Sequence, residues 1–159
     1  MPMRIGESLP KFEGATEWLN ETQETADDYV SGQPTLVHFW ATSCGICKTN
    51  MPKLQELKAK YEDRGLRTVA IHMPRYEADT DIEKVKADIA AHNITDICAI
   101  DNQHKLKDAF LNEQGWVPVY YLFDAEGKLK TRAAGEFGVS VLTTALEKMF
   151  PAQAKEASA

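Results

Sequence analysis

The sequence is poor in cysteine, with three in 159 residues, which excludes the disulfide-dense scaffold of a small secreted domain. It has no apolar run near the ~20 residues that cross a bilayer, so no membrane partner is expected. It also lacks a basic excess. Eighteen Lys and Arg against 24 Asp and Glu leave a formal charge of −6, the wrong sign for a chain that binds nucleic acid. The first ten residues, Met1 to Pro10, carry Arg4 with no apolar stretch behind it. They do not read as a secretory leader, and the expected location is cytoplasmic. Internal repeats and low-complexity tracts are absent as well.

What is present suits one globular domain spanning residues 1–159. Hydrophobic residues make up 43% and charged residues 26%, a balance that excludes a wholly disordered chain. The pattern then alternates. Apolar residues scattered over 8–20 predict short strands or an edge hairpin. Thr25 to Ser31 reads as a helix capped by Thr25 and ended by Gly32. Leu36 to Ala41 is dense in strand formers, as in a strand buried on both faces. Met51, Leu54, Leu57 and Tyr61 mark a helix that starts near Cys44, with Pro52 predicting a kink and Gly65 the end. Strands follow at 66–73, 97–101, 119–123 and 128–134. Helices follow at 82–89, 106–111 and 141–150, and residues 151–159 form a flexible polar tail. Strands alternating with helices predict an α/β fold, and the hairpin around Asp124 to Gly127 makes its sheet mixed.

The chemistry sits in Cys44-Gly45-Ile46-Cys47. The pair follows a buried strand and opens a helix. Unpaired N–H groups and the helix dipole there favour a thiolate at Cys44, the attacking species in thiol–disulfide exchange. Cys47 lies on the same face one turn on, placed to resolve a mixed disulfide. A zinc site would need two further ligands, and Cys98 stands alone between Ile97 and Ala99, reading as a small buried hydrophobe. Lys48 reads as an exposed helix residue, Trp18 as packing and His72 as structural.

The string Phe39-Trp40-Ala41-Thr42-Ser43-Cys44-Gly45-Ile46-Cys47-Lys48, with Pro52, resembles the active-site segment of the thioredoxin superfamily. Trp116-Val117-Pro118 before a strand and Gly135 near the end of the last strand stand where that family carries its other motifs. Within it the chain is similar to the TlpA/ResA branch, and there to the small soluble YkuV-type thiol–disulfide oxidoreductases. The resemblance covers roughly residues 33–150. It implies a thioredoxin fold with a mixed central sheet flanked by helices, an N-terminal extension over 1–32 and an inserted helix within 74–95. It implies a cis Pro118 against the disulfide, with the Val117 backbone free to pair with an extended substrate. Trp40, Trp116, Val117 and Pro118 are then candidate substrate contacts.

Several positions depart from the family pattern. Thioredoxins carry a buried Asp where this chain has His38, which reads either as a satisfied core histidine or as the proton acceptor for Cys47. Asn50 replaces the Glu of extracytoplasmic ResA-type members, Ser43 replaces the usual Trp, and Ile46 replaces the thioredoxin proline. Trp40 reads equally as a core residue or as part of an apolar platform.

The leading function is reduction of protein disulfides through the Cys44–Cys47 couple, with no other cofactor and no resident metal. The partners are disulfide-containing proteins and an electron donor such as a thioredoxin-reductase system, and the expected state is a monomer. Two alternatives use the same pair. A Cu(I)-binding module would need a third ligand such as His38 or His72. A thiol peroxidase normally has a Thr three residues before its Cys, whereas Thr42 precedes Cys44 by two.

Overall fold

The structure is a computed structural model and describes residues 2–21 and 23–151. The expected flexible tail falls, beyond Pro151, outside the described residues. Six strands, β1 (Glu17–Leu19), β2 (Thr35–Trp40), β3 (Arg67–His72), β4 (Ile97–Ile100), β5 (Val119–Phe123) and β6 (Leu129–Ala134), form one sheet in the order β1-β4-β3-β2-β5-β6. The β2, β3 and β4 strands run parallel. Antiparallel pairing joins β2 to β5, β5 to β6 and β1 to β4. The sheet is therefore mixed, as the alternation of elements implies.

Side chains of β2 alternate between two cores, and this places the helices. Leu36 and Trp40 face a layer built by α2 (Gly45–Glu62), α3 (Ile82–Ala91) and α5 (Gly138–Met149), where Met51, Leu54, Val85, Leu142 and Leu146 are buried. Val37 and Phe39 face the other layer, where α1 (Gln23–Val30) and α4 (Lys105–Ala109) contribute Ala26, Val30 and Leu106 beside Phe12 and Phe110. Every residue of β2 is buried, because strands flank it and helices cover both faces. Burying each such Leu, Val or Phe contributes about 1.5–3 kcal/mol.

The N-terminal extension does not form a hairpin. Its first residues run along the outer edge of β6, where Leu129 donates to the Glu7 carbonyl and Gly6 to that of Leu129. The chain then crosses to the opposite edge as β1, which pairs with β4. Phe12 anchors the crossing, fully buried between the rings of Trp18 and Phe110. The same segment thus adds to both sides of the sheet, pairing with part of β6 and supplying β1 as the strand outside β4. Helix α1 begins at Gln23, so Thr25 lies inside its first turn and is not its N-cap. The extra residues put a turn of helix ahead of Ala26 and Val30, the pair that packs. Helix α2 runs unbroken through Pro52. In the inserted segment a 3-10 turn (Glu77–Thr80) precedes α3.

Candidate active site

Cys44 is the N-cap of α2. Its backbone is extended, and its sulfur accepts the Cys47 backbone N–H at 3.0 Å. An N-cap side chain normally satisfies one orphan donor of the first turn. Here a sulfur does so, and the same donor and helix dipole stabilise a thiolate after reduction. Cys44 and Cys47 form a disulfide with Cα atoms 5.3 Å apart. They are 3% and 2% exposed, so a partner reaches the sulfurs only by close apposition. Lys48 is half-buried and paired with Asp88 of α3 at 3.1 Å, and is not the freely exposed residue expected.

The loop in front of Cys44 is held from below and from one side. From β3, His72 Nε2 accepts the Thr42 N–H at 3.1 Å. His72 is fully buried, and burial lowers its pKa to about 4, so the ring is neutral at pH 7. From the inserted segment, the buried Asp79 carboxylate accepts the Thr42 hydroxyl at 2.9 Å and the Ser43 hydroxyl at 2.7 Å. It also accepts the N–H groups of Arg75 and Tyr76. Burial acts to raise the Asp79 pKa. The hydrogen bonds outweigh it and hold the carboxyl below its ordinary value. Arg75 closes the set, donating to the Ser43 hydroxyl and, at 2.8 Å, to the Ser43 carbonyl. Neither Asp79 nor Arg75 is marked in the sequence, because their partners lie more than 30 residues away.

Beside the end of β2, the Trp116-Val117-Pro118 loop leads into β5, whose Val119 pairs with Phe39. The Val117–Pro118 bond is cis. Val117 packs against the core cluster that contains both cysteines. Asn112, fully buried, clamps the loop: its Oδ1 accepts the Trp116 N–H and its Nδ2 donates to the Trp116 carbonyl. The Trp116 ring is half exposed, with the Arg132 guanidinium over its face. Behind Pro118, its carbonyl accepts the Gly135 N–H, and Gly135 has φ +80°, which suits a residue without Cβ. Ile46, next to Cys47, and Trp116, next to Val117, are exposed apolar residues flanking these segments. Trp40 is not part of an exposed apolar platform. At 1% exposed it is a core residue, wedged edge-on against His72, and it offers no surface to a substrate.

His38 points into the same layer as the cysteines, between Leu36 and Trp40 on its strand. Its Nε2 lies 3.3 Å from Asp96, and Lys58 of α2 pairs with the other oxygen of that carboxylate. Burial acts to raise the Asp96 pKa, and His38 and Lys58 more than reverse this, leaving it below the ordinary value. Asp96 and Lys58 also line a surface cavity. Asn50 donates to the Glu136 carbonyl, tying α2 to the turn before α5. Cys98 is fully buried, with its thiol pushed up to about 12 by that burial; the Trp40 indole touches it without the geometry of a full hydrogen bond. Of the nitrogens a third metal ligand would use, His38 Nε2 is engaged at Asp96 and His72 Nε2 at Thr42, whereas the buried His72 Nδ1 has no hydrogen-bond partner among the described residues. The Thr42 hydroxyl is likewise given to Asp79.

An N-capping cysteine disulfide at the end of a central parallel strand, with a cis-proline loop beside that strand, now has its family context. The Redoxin family model matches residues 4–146. The chain belongs to the Redoxin family. This redoxin is 42% identical over 140 residues to the thiol-disulfide oxidoreductase YkuV of Bacillus subtilis, covering 88% of this chain and 92% of that one. It is 28% identical over 149 residues to the thiol-disulfide oxidoreductase ResA of Bacillus cereus, covering 94% and 80%. Among solved structures, a thioredoxin-like protein in its oxidised form superimposes with a TM-score of 0.81 at 40% identity, over 92% of this chain and 97% of that one. The fold is thioredoxin-like, in the TlpA/ResA-like branch, and the redoxin is a thiol–disulfide oxidoreductase.

Proposed function

We propose that this redoxin reduces disulfides in protein substrates. The observation that carries the proposal is the asymmetry of the pair: Cys44 caps the helix, and Cys47 sits one turn inside it. In the reduced protein the Cys44 thiolate attacks one sulfur of the substrate disulfide. A Cys44–substrate disulfide forms, and the other substrate sulfur leaves as a thiolate. Cys47, losing its proton, then attacks Cys44. The internal disulfide forms, the second substrate sulfur departs, and two electrons have passed to the substrate. Trp116, Val117 and Pro118 hold the substrate segment by strand-like pairing. His38 takes the Cys47 proton, and Asp96 compensates the imidazolium charge. The couple needs no further cofactor. Its electrons come from a donor such as a thioredoxin-reductase system, and it works as a single-domain monomer in the cytoplasm.

Turnover of insulin disulfides with dithiothreitol tests this, read with two variants. Cys44→Ser is expected to lose activity entirely. Cys47→Ser is expected to accumulate a covalent substrate adduct on Cys44, seen by mass spectrometry. An adduct on Cys47 or Cys98, or turnover surviving in Cys44→Ser, overturns the assignment.

A further inference from the structure

The inserted segment does more than cover the sheet. It brings one exposed cation beside the nucleophilic cysteine and fixes it there. Arg75 donates from its terminal guanidinium nitrogen to the Ser43 carbonyl at 2.8 Å and from Nε to the Ser43 hydroxyl at 3.1 Å. That hydroxyl donates in turn to Asp79, which also accepts the Arg75 backbone N–H. The side chain is thus held at two points and its backbone at a third, and these bonds offset the entropy cost of keeping a long, flexible side chain in one place. The Ser43 carbonyl belongs to the peptide bond that Cys44 continues. The bonds from its oxygen to Cys44 Sγ span no more than about 5–6 Å. The guanidinium nitrogen therefore lies within a Debye length, about 10 Å, of the reacting sulfur.

A second exposed cation, Lys84 of α3, lines the same surface cavity as Ser43, but no hydrogen bond among the described residues seats it on the loop. Lys48, on α2, pairs with Asp88 of α3. His72, beneath the loop on β3, is neutral at pH 7. Arg132, on β6, lies over the Trp116 and Tyr121 rings. Glu77, in the 3-10 turn, and Glu136, before α5, are exposed to solvent. Asp79 opposes Arg75 in sign and its charge persists despite its four donors, so the Arg75 variants change one charge against that fixed background. Among the described residues no carboxylate oxygen lies within ion-pair distance of the Arg75 guanidinium.

We propose that Arg75, seated on Ser43 by Asp79, is a positioning residue of the redox centre, stabilising the Cys44 thiolate by its charge and so setting nucleophilicity and potential. This rests on Cys44 being the attacking sulfur. The step it assists is unchanged: the thiolate attacks, a mixed disulfide forms, and a substrate thiolate leaves. Arg75 shifts only the share of Cys44 present as thiolate.

The test is the pH profile of iodoacetamide alkylation at Cys44 in the reduced full-length protein, located by peptide mapping, for wild type, Arg75→Gln and Arg75→Lys. Arg75 is exposed, so neither variant disturbs the core. Arg75→Gln is expected to raise the proton affinity of Cys44 threefold to tenfold. Tenfold corresponds to about 30 mV of more negative potential for a two-electron couple. Arg75→Lys should recover most of the loss, and wild type in 1 M salt, where the Debye length is about 3 Å, should approach Arg75→Gln. Superimposable profiles of wild type and Arg75→Gln overturn the proposal. So does an equal rise in Arg75→Gln and Arg75→Lys, which would assign the effect to hydrogen-bond seating and not to charge. Absence of insulin reduction by wild type would instead overturn the proposed function while leaving this titration readable.

Discussion

His38, Asp96 and Lys58 form a charged cluster inside the layer that also holds the disulfide, and such a cluster is costly to break from one side. Asp96 is the shared acceptor. Asp96→Ala leaves a buried cation and a buried imidazole without their counter-charge, and a loss of about 3–5 kcal/mol is expected. Urea unfolding at pH 7 measures it. A loss under 1 kcal/mol would show that water compensates the pair. The cysteines, the cis proline and His38 itself are legible in the sequence, because each belongs to a short string with its own chemistry. Asp96 is not. It lies 58 residues from His38 and becomes its partner only when the sheet brings the start of β4, across β3, to the layer shared by β2 and α2. Asp79 and Arg75 escape sequence reading for the same reason, and Asn112 because an asparagine four residues before Trp116 looks like any loop residue.

The elements themselves follow local periodicity closely. Strand β2, helix α2 and the terminal hairpin fall where alternation, helical spacing and turn residues place them. Of the two expectations for the segment before α1, the short strand forms as β1 and the hairpin does not, because strand partners are chosen by the whole sheet. Two open edges, one beside β6 and one beside β4, each recruit a part of it, and no local hairpin forms. The cis-proline loop is likewise shaped by something outside itself. Asn112 supplies both hydrogen bonds to the Trp116 backbone. Asn112→Ala is expected to cost about 1–3 kcal/mol by leaving these groups unpaired. It should also slow insulin reduction severalfold while the Cys44 alkylation profile stays as in wild type. An unchanged turnover rate would show that Trp116 does not orient the substrate.

For the molecule as a whole, pH couples the site to stability through His72. Its folded pKa is lowered to about 4 from 6.5, so its contribution is complete above pH 6.5 and is lost as pH falls from 6.5 to 4. The linkage amounts to about 3 kcal/mol over that window. Unfolding free energies at pH 7.5 and 4.5 should differ accordingly, and His72→Gln should flatten the difference. A wild-type stability constant across that range would contradict the burial of a neutral ring. Asp79 and Asp96, both held below their ordinary pKa, add a further loss only at more acidic pH. At this scale the direction of electron flow depends on how the folded protein divides its stability between dithiol and disulfide. The reduction potential of the Cys44–Cys47 couple, equilibrated in glutathione and dithiothreitol buffers, tests the proposed reductase most directly. A value near the ~−270 mV of thioredoxin, or lower, is the predicted result, whereas one near the ~−120 mV of a strong disulfide oxidant would contradict it.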